Sequence, residues 1–316
     1  MKNLGKNLFF TAFCFLLGIC FLFYAQKTAA FAYIGLKTWF DSMIISLFPF
    51  MVLMNLLIKT GLSGLFIRPF YMLLRPLFRN TPDALFVIFF GFLCGFPLGG
   101  KCAVDLYQKG RISYKNAEYL LCFSNQIGPA YMLGFFIGTI RAPGSIFFAV
   151  FTLYGIPFIY GLILRYTVYR KELEPEYRKT SCTGATPDGI SILSALPEAV
   201  RDALSQIAIL GGYMILFNAL RIVPHLMFAH IPKFYLLSQC MLEISGGLLC
   251  ANTSLPDGIL KTMVLYGIFS FNGLCCHFQT FSLLQQTDFS GKKYMLHKII
   301  LCSITILFVW CFSMFK

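Results

Sequence analysis

Two neighbouring apolar segments of this chain are each broken by residues that cannot continue a helix. Ala84 to Leu93 is apolar enough to enter hydrocarbon, then meets Gly95-Phe96-Pro97-Leu98-Gly99-Gly100-Lys101, where glycine and proline end regular helix. The chain is predicted to turn back there. Leu120 to Ile140 is interrupted by Ser124-Asn125-Gln126-Ile127-Gly128-Pro129. Irregular backbone at membrane depth survives only where it is buried in protein or lines a wet cavity. Two such interruptions so close together point to a transporter-like binding site.

Composition settles the solvent of the fold. With 58% hydrophobic residues, 12% charged residues and a mean hydropathy of +0.72, little remains for a soluble domain once the apolar runs are removed. The longest polar stretch is Arg165 to Gly189. A net charge of +13 is spread singly through short loops, as the positive-inside rule produces, so no basic domain exists to hold nucleic acid. Most of the twelve cysteines fall inside apolar runs and read as small buried apolar residues. Cys275-Cys276-His277 lacks the spaced cysteine pairs of a zinc site. No cofactor or metal is called for, and coupling to Na+ or H+ stays open.

The expected fold class is an all-α polytopic membrane protein, an inverted repeat with two re-entrant hairpins and two broken transmembrane helices. Residues 1–30 form an N-terminal transmembrane helix, 38–164 a first repeat, 165–189 a cytoplasmic linker and 190–315 a second, inverted repeat. In the first repeat, a polar interfacial stretch, Lys37 to Asp41, leads into a span from Ile44 to Ile58. Arg68, Arg75 and Arg79 among aromatics, with Pro69 and Pro76, mark a short helix on the cytoplasmic surface. The hairpin with its tip at Gly95 to Gly100, the broken span Ala117 to Ile140 and the span Ile146 to Leu164 follow. In the second repeat, amphipathic Ile190 to Asp202 precedes a span from Ala203 to Ala219. Phe234 to Leu249 is interrupted at Glu243-Ile244-Ser245-Gly246-Gly247, and Ile259 to Leu284 at Ser270-Phe271-Asn272-Gly273. A last span runs to Phe315. Met51 to Leu57 echoes Met214 to Leu220, and the Lys/Arg count runs the two spans in opposite directions. Six full spans plus the two hairpins result, with a cytoplasmic amino terminus and an external carboxyl terminus.

Phe96-Pro97-Leu98-Gly99-Gly100-Lys101, the downstream Asn116-Ala117-Glu118-Tyr119-Leu120-Leu121, Ser124 to Pro129 and Leu242 to Gly246, with Gly246-Gly247 as its glycine region, together resemble the sporulation integral membrane proteins of the YlbJ type. That family lies in the nucleoside-recognition (Gate) superfamily, whose fold is similar to that of concentrative nucleoside transporters. A late G-G-x-x-x-x-x-Q pattern is degenerate here, Asn272-Gly273 preceding His277 and Gln279. The resemblance covers roughly Trp39 to Phe315. It implies passage of dipicolinic acid, a small aromatic dicarboxylate, across the outer forespore membrane during sporulation, and two Gate-like repeats.

The candidate substrate site follows the breaks. Lys101, just past the first tip, is a costly cation unless paired or wetted. A dianion would satisfy it together with amides at the Gly99-Gly100 helix start, whereas a snorkelling side chain would need no ligand. Gly95, Pro97, Gly99, Gly100 and Gly128 shape the backbone, while Ser124, Asn125 and Gln126 offer donors and acceptors to a substrate or glue the bundle. Glu243, with Ser245 and Gly246, binds a coupling cation, carries a proton or pairs with Lys101. Ser270, Asn272 and Gln279 line the second break, and His277 reads as a packed residue. The partners expected are an anionic small molecule and membrane lipid, and a homo-oligomer is compatible with the sequence. A nucleoside or other small-solute transporter, and a non-transporting scaffold for spore assembly, stay open as alternatives. A membrane enzyme finds no catalytic motif: no His-Glu-x-x-His, no aspartate pair within spans and no serine in a glycine elbow.

Overall fold

A computed structural model describes residues 2–134, 136, 145–173 and 191–314. The expected linker 165–189 therefore lies outside the described residues beyond residue 173, as does most of 135–144 in the first broken span. The described chain is all helical. Five helical segments are long and apolar enough to cross a membrane, or six if one bent pair counts as a span. The protein is an integral membrane protein, and its exposed Phe147, Leu193 and Leu307 are what a lipid-facing surface presents.

After α1 (Lys2–Phe23) comes α2 (Ala25–Lys59), one continuous helix. The sequence predicted a separate interfacial stretch at Lys37 to Asp41. Instead a wide π turn at Trp39–Ile44 lets the helix continue, and Lys37 pairs with Asp41 one turn on at 2.8 Å on an exposed face. With 35 residues, α2 is about 52 Å long, against a hydrocarbon layer of roughly 30 Å. It must tilt or project.

The surface helix α3 (Arg68–Phe78) exposes Phe70, Met72 and Leu73. It is turned 98° from α4 (Pro82–Cys94), as an interfacial helix would be. Its carboxyl end carries Arg79 in the left-handed region at φ 42°. Thr81 caps α4, its hydroxyl accepting from the Ala84 amide at 3.3 Å, with Pro82 at the first helical position. After α5 (Leu98–Gln108) and α6 (Tyr114–Leu121), the short α7 (Pro129–Leu133) resumes beyond the break. α8 (Ile146–Tyr166) starts at Ser145, which accepts from the Phe148 amide at 3.2 Å.

In the second half, α9 (Ile192–Ala219) joins the predicted amphipathic stretch and span into one helix of 28 residues. α10 (Ile222–Phe228), α11 (Pro232–Leu242), α12 (Ile244–Ser254), α13 (Ile259–Phe271), α14 (Gly273–Leu284) and α15 (Gly291–Met314) complete the chain. α2 and α9 cross at the centre. A Cβ on Gly35 would lie 2.5 Å from the Met214 carbonyl oxygen, and Trp39 lies against Gly211 with its Nε1 donating to the Ile207 oxygen at 2.8 Å. Around this pair the neighbour order repeats. α4 packs on α5 and α7, α5 on α6, and α6 on α8. α11 packs on α12 and α14, α12 on α13, and α13 on α15.

Buried and half-buried polar anchors hold the described part of the first half. Asp83 receives a two-pronged contact from Arg111, at 2.9 and 3.1 Å, and Arg111 also donates to the Gly61 carbonyl at 3.1 Å. Asn80 and Asn116 exchange reciprocal amide bonds, both at 2.8 Å. Arg165, which the sequence placed in a loop, is fully buried. It donates to the carbonyls of Phe78 at 2.7 Å and Arg79 at 2.8 Å, satisfying acceptors that the end of α3 leaves open.

Candidate functional site

The glycines at the first tip pack backbone against backbone. Gly95 has φ +77°, and a Cβ there would lie 2.2 Å from the Gly128 nitrogen. A Cβ on Gly128 would lie 2.6 Å from the Cys94 oxygen. Gly91 and Gly99, on opposite arms of the α4–α5 pair, both face the Ser124 carbonyl, at 2.1 and 2.5 Å from their would-be Cβ atoms. The tip and the first break therefore form one junction, closed by the absence of side chains. Asn125 is fully buried within it. Its Oδ1 accepts from the Gly100 amide at 3.1 Å and its Nδ2 donates to Thr280 Oγ1 at 3.1 Å. The amides expected to be free for a substrate at Gly99 and Gly100 are thus occupied, the Gly99 amide by the Gly95 carbonyl at 3.2 Å.

A second junction joins the α11–α12 tip to the second break. Asn272 and Gly273 are both left-handed, at φ 69° and 67°, and a Cβ on Gly273 would sit 3.3 Å from Glu243 Cα. Glu243 lies between α11 and α12 and caps the latter, its Oε2 accepting from the Gly246 amide at 3.0 Å. Asn218 Nδ2 donates to the same oxygen at 2.9 Å, and Ser245 Oγ donates to Oε1 at 2.8 Å. Arg221 donates to Asn218 Oδ1 at 3.3 Å, and a Cβ on Gly246 would strike its guanidinium. Asn218 so bridges a buried guanidinium and a buried carboxylate.

Between the junctions, α2 and α9 close a cavity of about 60 Å³ whose lining includes Phe96, Gly128, Tyr131, Glu243, Cys276 and Gln279. Met43, Leu47 and Met214 make the rest of its wall largely apolar, as small-molecule sites generally are. Gln279 Oε1 and, in the adjoining second break, Asn272 Oδ1 are buried with no hydrogen-bond partner. Such orphans are rare enough to require a cause.

Of the sequence-predicted residues, Gly128, Glu243 and Gln279 reach this cavity, while Gly95, Gly99, Gly100 and Asn125 hold the first junction and Ser245 and Gly246 serve Glu243. Pro97 follows the tip phenylalanine in a cis peptide. Ser124 and Gln126 turn to local carbonyls, at 2.7 Å on Leu120 and 3.0 Å on Phe123, and Ser270 pairs with Thr305 at 3.0 Å. His277 is packed as expected, Nδ1 against the Tyr294 hydroxyl at 3.2 Å.

Lys101 stands elsewhere, in a cleft of about 230 Å³ lined by Asn55, Lys59, Asp105, Lys109 and Asp202. The pairing with Glu243 considered from sequence is not formed. Lys101 binds Asp105 one turn on at 2.5 Å, because a partner at that helical spacing is reached without crossing the bundle. Lys59 pairs with Glu198 and Asp202 at 3.1 and 3.0 Å. Burial, then the neighbouring Lys59 charge, pulls the Lys109 ammonium below its ordinary value, and its Nζ donates to the Ile58 carbonyl at 2.9 Å.

Sequence reasoning missed Lys298. It is completely buried, its Nζ donating to the Asn125 carbonyl oxygen and lying 5.3 Å from the Phe96 ring centre. No hydrophobic periodicity of α15 pointed to it; the structure places Lys298 with Tyr294, Leu301 and Thr305 on the buried stripe of that helix.

No protein-family model and no solved structure matches the chain. The chain is similar to the sporulation integral membrane protein YlbJ of Bacillus subtilis (strain 168), with 24% identity over 324 residues, covering 91% of this chain and 77% of that protein.

Proposed function

We propose that this protein is a permease for a small anionic aromatic molecule, with dipicolinic acid as the substrate and the outer forespore membrane as its place of action. One observation carries the reading. Two glycine-tight junctions between a helix-pair tip and a broken helix meet across a cavity that holds a buried carboxylate and an unpartnered amide oxygen. Similarity to a protein named for sporulation supports the setting. The repeated neighbour order of α4 to α8 and α11 to α15 supports an inverted repeat with two re-entrant hairpins, the architecture in which a substrate site sits between the halves.

The cavity of about 60 Å³ is far below the roughly 300–1,000 Å³ of sites that enclose small molecules. On this reading the cavity must widen to admit substrate, and transport requires each tip to part from its break in turn. A scaffold has no use for two such junctions, whose unpartnered polar atoms are expensive at membrane depth.

The test is uptake by purified protein in liposomes, with dipicolinate inside detected by terbium luminescence and a labelled nucleoside in a parallel arm. Saturable dipicolinate uptake, abolished by closing the first junction with Gly99→Leu, is the expected result. Saturable nucleoside uptake alone transfers the reading to that substrate class. Uptake of neither by monodisperse protein overturns the permease reading.

A further inference from the structure

Arg221 beside the cavity and Lys101 in the neighbouring cleft are each tied to an acceptor side chain. Arg221 donates to Gln239 and Asn218, and Lys101 to Asp105. Lys298 differs. It is entirely buried, forms no ion pair among the described residues, and its protein hydrogen bond goes to the Asn125 carbonyl inside the first break. The rings of Phe96 and Tyr294 lie 5.3 and 5.9 Å from its Nζ. A carbonyl and two ring faces do not neutralise an ammonium in a medium of low dielectric, where an unpaired charge is among the costliest groups a protein can bury.

Three further facts point from Lys298 toward a ligand. Phe96 lines the central cavity, and its ring centre lies 5.3 Å from the Lys298 ammonium. Phe96 is also the tip residue beside Gly95, whose would-be Cβ lies 2.2 Å from the Gly128 nitrogen, so separation of the tip from Gly128 would move its ring relative to Lys298. His277 Nε2, on a ring that meets both Phe96 and Tyr294 edgewise, is buried without a partner, as is Gln279 Oε1. Glu243, across the cavity, is already satisfied by Asn218, Ser245 and Gly246. A negative group entering here therefore finds one unneutralised cation.

We infer that Lys298 is the anion-reading residue of the central site: when the first tip moves, its ammonium takes a carboxylate of an aromatic ligand whose ring packs against Phe96. The inference rests on the permease reading and deepens it. It also moves the charge contact expected at Lys101 to the opposite half of the sequence. The ammonium and the one carboxylate it takes neutralise each other, which removes the cost of the isolated ammonium and makes charge, rather than shape, the first selection, while the second carboxylate of a dicarboxylate keeps its charge.

The experiment is calorimetric titration of purified, detergent-solubilised full-length protein with dipicolinate, benzoate, inorganic phosphate and neutral pyridine. Wild type is expected to bind the aromatic carboxylates and to discriminate against pyridine by roughly tenfold or more, the scale of a desolvated charge contact. Lys298→Met, which keeps the stem and loses the charge, is expected to erase that discrimination, and Lys298→Arg to restore part of it. Dipicolinate binding that Lys298→Met leaves unchanged overturns the role of Lys298 while the permease reading stands. Lysine-dependent binding of phosphate without the aromatic carboxylates keeps the anion site and overturns the substrate class. If Lys298→Met does not fold, wild-type preference decides, and equal affinity for pyridine and dipicolinate overturns the inference. Binding of none of the four overturns both readings.

Discussion

Asn218 donates to Glu243 across 2.9 Å of protein interior, tying the end of α9 to the residue that caps α12. The sequence-related Asn55, near the end of α2, reaches instead for the Ala199 carbonyl at 3.3 Å. Two asparagines in similar apolar contexts thus take different tasks, one anchoring a tip and the other joining two long helices.

Removing the amide should loosen that tip. Asn218→Leu leaves Glu243 short of one charge-assisted bond and Arg221 short of an acceptor, a loss on the order of 1.5–3 kcal/mol per bond to a charged group. The expected outcome is a lower midpoint in thermal unfolding and reduced dipicolinate uptake in liposomes. An unchanged midpoint would show that Glu243 is held well enough by Ser245 and the Gly246 amide.

The glycines separate tight packing from mere flexibility. Gly91→Ala and Gly128→Ala insert a methyl within 2.1 Å of the Ser124 oxygen and 2.6 Å of the Cys94 oxygen, whereas Gly212 has no atom within 4 Å of its would-be Cβ. The first two substitutions should abolish uptake while the protein still inserts, because the apolar runs are untouched. Gly212→Ala should be neutral or slightly stabilising, as alanine in a helix is favoured by up to about 1 kcal/mol. Equal uptake by all three proteins contradicts the junction.

Arg165 makes a different kind of claim, about the surface helix. Arg165→Lys keeps the charge but cannot place two donors in the planar fork that reaches both Phe78 and Arg79. Each buried carbonyl left open costs on the order of 1–3 kcal/mol, so both Arg165→Lys and Arg165→Met should unfold at lower temperature. Protease sensitivity should rise around Arg79, and a wild-type cleavage pattern would argue that α3 is held by packing alone.

Orientation is testable with cysteines. Ser194, in the first turn of α9, and Ser254, at the end of α12, are both exposed. With the amino terminus cytoplasmic, a membrane-impermeant thiol reagent added to intact cells should label Ser254→Cys and spare Ser194→Cys in a cysteine-free background. The reverse pattern inverts the topology.

What the sequence determined by itself is local and additive. Apolar runs choose the membrane. Glycines and prolines at 95–100 and 124–129 stop helices wherever they fall, since their backbone constraints need no partner, and the caps at Thr81 and Glu243 are likewise local, through bonds only three residues long. The tertiary structure alone decided which polar groups meet. Lys101 and Lys298 both sit beside apolar neighbours, yet one keeps a side chain 16% exposed against Asp105 and the other is wholly enclosed. That difference depends on the rotation of α5 and α15 about their axes, which packing against distant helices sets. Arg165 and Asn125 repeat the lesson, for their partners lie 87 and 155 residues away in the chain. No local pattern encodes such a distance, because a hydrogen bond is specified by where two helices cross and not by what flanks either residue.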